Sequence, residues 1–216
     1  MKLKSGLVIK AIPNWAHLKN EQKAFVEMWI EALKSSKYKQ GKEVLKSLDE
    51  RFCCLGIAAD LEANIGDGIW TIEEVRIICN PETAKVNLFS HKTPTEERFT
   101  ANSDSFLPIW MQEKYGIGTS GLYVTVDKQT WPVVVNSKAE LTKLGTYDAS
   151  LVDLNDGGNA TFVEIAGVLE KALKGGYFIP NLSNTETGRI DKDLCRINRT
   201  PSIINPSVQL PASPSV

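Results

Sequence analysis

Four groups of residues in the 216-residue chain have side chains and spacings suited to chemistry. Lys34, Lys37, Lys39, Lys42 and Lys46 crowd one short stretch against a single acidic residue, Glu43, with Tyr38 and Gln40 among them. Clustered ammonium groups attract anions. Tyr38 offers a ring for stacking and Gln40 a polar edge. Lys37, Tyr38, Lys39, Gln40 and Lys42 are therefore a candidate site for a nucleotide or a phosphate-sized anion. A structural reading accounts for the same residues: Tyr38 packs on the core, Gln40 satisfies a turn and the lysines are solvated.

The second group is Cys53-Cys54, at the expected start of a helix. A thiol there can have a lowered pKa and act as a nucleophile. Neither His17 nor His91, the two histidines, sits in a recognisable constellation with it. The third group runs from Asp153 to Glu164 and partly fits a calcium-binding loop. Asp153, Asn155 and Glu164 fall at loop positions 1, 3 and 12 and Gly158 at position 6, whereas Gly157 removes the ligand at position 5. A polar turn followed by a helix cap explains these residues equally. The fourth is the acidic trio Asp60, Glu62 and Asp67, a generic source of a carboxylate pair.

No phosphate-binding glycine loop, dinucleotide fingerprint, zincin helix or nucleophile elbow is present. The sequence thus nominates no catalytic residues and argues against an enzyme; a cysteine-dependent one is the remaining enzymatic alternative. It nominates no cofactor. Four cysteines without a C-x-x-C spacing suit neither a disulfide scaffold nor a zinc ribbon, and read as buried apolar residues in a reducing compartment. The net charge of −1 argues against a protein that coats nucleic acid. The charge is uneven, however: residues 1–48 hold ten Lys against four Glu. No apolar run reaches the ~18 residues that would suggest a membrane span.

The elements that must position these groups follow from periodicity. Leu7–Ile12 reads as a short edge strand ended by Pro13. Asn20 is placed to cap a helix through Ser35, whose shared face carries Phe25, Met28, Trp29, Ala32 and Leu33. Val44, Leu45 and Leu48 suggest a short amphipathic stretch. The small apolar run after Phe52 predicts a buried helix over about 53–64. Residues 69–72, 75–79 and 86–89 are β-prone, and 91–103 reads as a polar loop. Ser105 can cap a helix to Tyr115, with Pro108 in its first turn and Gly116 past its end. Leu122–Val126 and Trp131–Val135 form a hairpin pattern. Capping boxes at Ser137–Glu140 and Thr161–Glu164 start two further helices, the second presenting Phe162, Ile165, Ala166, Leu169 and Leu173 on one face.

After Pro180 the composition turns to Asn, Ser, Thr and Pro, with prolines at 201, 206, 211 and 214. This predicts an extended arm without a core of its own, suited to contacting a protein partner. The expected fold is α+β: four or five helices around a small, mostly antiparallel sheet. It forms one domain over 1–179, with a strand-rich insertion at 69–103 and an arm over 180–216.

Two segments together carry a resemblance. One is Trp29-x-x-Ala32-Leu33-x-Ser35-x-x-Tyr38-x-Gln40, followed by Phe52-Cys53-Cys54-Leu55-Gly56 and Asp60-Leu61. The other is Leu151-x-x-Leu154-Asn155-Asp156-x-Gly158, followed by Phe162-x-Glu164-Ile165-Ala166, with the helix after Leu107-Pro108 between them. The pattern, over about residues 25–173, resembles an uncharacterised family found widely in bacteriophages and prophages. The resemblance implies a phage origin and supplies no catalytic residues. It implies a non-enzymatic accessory protein in the cytoplasm of the infected host cell, binding a host macromolecule or a small anionic ligand, with counter-defence as one such role. The arm favours the alternative of a virion component, head-decorating or tail-associated.

Overall fold

A computed structural model describes residues 1–76, 83–93, 105–131 and 145–178. Periodicity places the first helix where expected: α1 spans Asn20–Lys34 and buries Phe25, Trp29 and Leu33. Its buried stripe also takes in Val26 and Ile30, while Met28 is 41% exposed. The stripe is thus rotated towards the i+1 side of Phe25 and Trp29, because α1 has neighbours on two flanks. The cap is Lys19 rather than Asn20; the Lys19 N–H donates to Gln22 Oε1 at 3.0 Å.

The predicted small-residue helix is α2, Cys54–Ile65, following the short strands β2, Lys39–Gln40, and β3, Arg51–Phe52, which pair in parallel. Gly56 is where α2 makes its closest approach. A Cβ there would lie 1.6 Å from the Leu45 carbonyl oxygen, so the loop backbone rests directly on the helix. Residues 44–48 are not helical. Leu45 is wholly buried against α2 and Leu48 is 54% exposed, so the two do not share a face. α1 is fastened to α2 by the Trp29 indole N–H, which donates to the Cys54 carbonyl at 2.9 Å.

The β-prone run becomes one long hairpin. β4, Gly68–Arg76, pairs antiparallel with β5, Thr83–His91, over nine residue pairs. Residues 77–82 and 94–104, which hold Cys79 and most of the expected polar loop, lie outside the described residues. Phe89 and Asn87 bury one face of the hairpin against the body of the protein. The next helix, α3, starts later than predicted, at Ile109, with Pro108 as its cap residue and Ser105 outside it. It ends at Tyr115, where Gly116 takes a left-handed φ of 66°.

The main sheet has four antiparallel strands. Its strands are β1, Ile9–Ile12; β6, Tyr123–Asp127; β7, Thr146–Ser150; and β8, Tyr177–Phe178. Two expectations are corrected here. β1 is an interior strand, flanked by β6 and β8, not an edge. β6 is occupied on both sides by β1 and β7, so it has no edge for Trp131–Val135. Lys128–Thr130 instead forms a 3-10 turn; the rest of that strand and the helix expected after Ser137 fall in residues 132–144, outside the described residues.

Two helices complete the fold. α4, Leu151–Asp156, is capped by Ser150, whose Oγ accepts from the Asp153 N–H. α5, Phe162–Leu173, begins at the predicted Thr161–Glu164 capping box and packs against α1. A Lys34–Glu170 ion pair of 2.5 Å joins those two helices. The architecture is α+β, with five α-helices among the described residues. The expected arm, 180–216, lies outside them.

Candidate binding site at the basic turn

After α1 the chain reverses at Ser36, whose φ is 57°, and runs into β2. This places Tyr38 against the core. Its ring meets Phe52 edge-on at 5.1 Å, and its hydroxyl donates to Asp60 Oδ2 at 2.9 Å. The Trp70 indole N–H donates to the other Asp60 oxygen at 3.2 Å. Asp60 of α2 therefore ties the basic turn to β4. Burial, with the Asp60 carboxylate beside it, holds the Tyr38 hydroxyl well above its ordinary pKa.

Tyr38, Phe52 and Trp70 form a continuous row, the second gap being 6.5 Å. Two lysines lie along it. Lys37 Nζ is 5.3 Å from the Tyr38 ring centre; Lys46 Nζ is 5.3 Å from Phe52 and 5.7 Å from Trp70. All are within the ~6 Å over which a cation is attracted to a ring face. Lys46 also pairs with Glu50 at 3.0 Å. Beside Lys46, residues 44–48 and strand β5 enclose a cleft of about 100 Å³. Val44, Lys46, Ser47 and Leu48 line it from the loop, and Lys85, Val86 and Asn87 from β5. Asn87 Nδ2 donates to the carbonyls of Ser47 at 3.0 Å and Lys46 at 3.4 Å, fixing that wall.

The other predicted anion ligands are divided. Gln40 Nε2 donates to Asn155 Oδ1 at 2.9 Å and the Ala160 carbonyl at 2.8 Å. Lys42 Nζ donates to the Asp156 carbonyl at 2.8 Å and to Asn159 Oδ1 at 2.6 Å. Both thus clasp the end of α4 and the segment that follows it. Lys37 and Lys39 stay on the surface. The lysines of the turn do not gather at the first amides of α2. Cys53 Sγ accepts from the Gly56 N–H, and the buried Leu45 covers that helix end.

The remaining candidates are engaged within the fold. Asp153 Oδ2 accepts from the Ser150 N–H and hydroxyl, both at 2.8 Å. Asn155 is fully buried, donating to the Gly41 carbonyl at 2.9 Å. Glu164 accepts from the Thr161 N–H and hydroxyl and from the Ser5 N–H. The three proposed calcium ligands thus serve two different helix caps and one interior clasp, and no set of three His, Cys, Asp or Glu side chains placed to hold a metal occurs among the described residues.

Of the two readings of Cys53 and Cys54, the structure supports the buried apolar one and not the lowered thiol pKa. Burial pushes Cys53 up to about 12 and Cys54 well above its ordinary value. Glu62 does not pair with Asp60. It is fully buried and accepts from the Tyr115 hydroxyl, from Lys114 Nζ at 2.7 Å and from the Asp67 N–H at 2.9 Å.

Sequence reasoning named Lys46 but missed Phe52, Trp70, Lys85 and Asn87 as its neighbours. The available signal was the alternation of β5, which puts Lys85, Asn87 and Phe89 on one face.

A family model for a domain of unknown function, DUF8296, matches residues 19–173, and the chain belongs to that family. No curated protein and no solved structure matches it. Among the described residues, no helix is long and apolar enough to cross a membrane.

Proposed function

We propose that this chain is a non-enzymatic, phage-encoded accessory protein that acts in the cytoplasm of the infected cell by binding an anionic ligand or partner at the face around the basic turn. One observation carries the reading. Lys37 and Lys46 lie on a single aromatic row, and β5 brings Lys85 to the same end of it. Paired ammonium groups beside a ring surface and a cleft favour a ligand with negative charge and some apolar or planar surface. The protonated, buried state of Cys53 and Cys54 supports a binding role over thiol chemistry. The phage origin rests on the sequence pattern from Trp29 to Ala166.

Calorimetry against nucleotides, cyclic dinucleotides, short oligonucleotides and acidic peptides tests the proposal. Binding that weakens with salt, and that a Lys37→Ala, Lys39→Ala, Lys85→Ala variant loses, is the expected result. No binding to any of them at low salt, with the fold intact, contradicts it.

A further inference from the structure

The cleft between residues 44–48 and β5 says more about the ligand than the surrounding charge does. Its volume of about 100 Å³ is well below the ~300–1,000 Å³ of a pocket that takes a whole small ligand, so only the end of a larger one enters it. Its walls are of two kinds. Val44 and Leu48 give it an apolar side, and Lys46 and Lys85 are also among its lining residues. A phosphate needs donors on most sides, and here Asn87 Nδ2 is spent on the Lys46 and Ser47 carbonyls while Ser47 Oγ is spent on Asp49. A carboxylate on a short hydrocarbon stem matches better, because the stem meets Val44 and Leu48 while the charge is attracted to the lysines.

We propose that this cleft receives an aspartate or glutamate side chain of a partner polypeptide, a reading that deepens, and rests on, the anionic-partner function above. Apolar side chains beside it support a peptide. Leu48 is 54% exposed at the cleft, and Ile72, opposite Asn87 in the hairpin register, is 65% exposed. Both offer contacts to residues flanking the acidic one. The local charges set the competition. Glu50 already holds Lys46 at 3.0 Å from an exposed position, and Glu74 faces Lys85 across the hairpin. Glu50 thus occupies Lys46 as an intramolecular stand-in, and an incoming carboxylate displaces it.

The test is an amide NMR titration of the full chain with three probes. They are a short capped peptide with one glutamate between leucines, the same peptide with glutamine, and inorganic phosphate. The glutamate peptide should shift the amides of Ser47, Leu48, Val86 and Asn87, and bind at least about tenfold more tightly than its glutamine counterpart. Lys85→Gln should abolish that preference. Glu50→Gln should tighten binding about two- to fivefold, the scale of one exposed ion pair. Equal binding of the two peptides, no shift at these amides, or no effect of Glu50→Gln overturns the proposal. Phosphate shifting the same amides as strongly overturns the carboxylate assignment but leaves the anionic-ligand function standing. The absence of any anion effect on the whole basic face removes both.

Discussion

Gln40 and Asn155, 115 residues apart in the chain, are joined by a 2.9 Å hydrogen bond from Gln40 Nε2 to Asn155 Oδ1. Asn155 returns the clasp by donating to the Gly41 carbonyl at 2.9 Å. The basic turn is thereby locked to the end of α4. The Tyr-x-Gln and Leu-Asn-Asp pieces of the sequence pattern are two halves of one contact. Asn155→Ala should cost about 1–3 kcal/mol, because it strands a buried carbonyl and an amide. Gln40→Ala combined with it should cost less than the two single changes added together. Urea unfolding of the three variants measures this, and strict additivity would show that the two side chains act independently.

Trp29 is fully buried and donates to the Cys54 carbonyl. Trp29→Ala should cost about 3–5 kcal/mol. An unchanged melting temperature would contradict the packing of α1 on α2.

Gly56 offers a sharper test of the same region. The Leu45 carbonyl occupies the place of a side chain, and it belongs to backbone that cannot swing aside. Gly56→Ala should destabilise by at least about 1–3 kcal/mol through overpacking. A neutral Gly56→Ala in thermal unfolding would mean that the loop over α2 sits elsewhere.

Stability should fall with alkaline pH. Burial raises the Cys53 thiol from 9.0 to about 12. Between those values the unfolded chain has released a proton that the folded chain retains, so the folded state binds more protons and loses stability as pH rises. Below the unfolded value the contribution is fully present. Cys54 and Tyr38 act in the same direction, also through burial. The urea midpoint should drop as pH rises from about 9 towards about 12 and drop less in Cys53→Ala. A midpoint independent of pH in this window would place the thiols in solvent.

The parts legible in the sequence were those set by local spacing. Phe25, Trp29 and Leu33 recur at helical intervals, and Thr161 with Glu164 caps a helix within three residues. The small side chains after Phe52 announced close packing without saying on what. Long-range choices were not legible. β6 presents an alternating pattern that suits any neighbour, and its actual partners are β1 and β7. The candidate site divided in the same way. The lysine cluster was visible, but whether each lysine faced an acceptor depended on segments over a hundred residues away, as with Lys42 and Asn159. Lys85 reached the site only through the hairpin.

The central claim is that the basic face is the binding surface, and one measurement addresses it most directly. It is amide NMR of the full chain titrated with the anion panel at about 0.01 M and about 1 M salt, where charges are felt over ~30 Å and ~3 Å respectively. Shifts should cluster in residues 37–51 and 83–91 at low salt and vanish at high salt. Shifts on the open face of the main sheet, around Tyr123 and Asp148, or shifts that persist at high salt, would contradict the account.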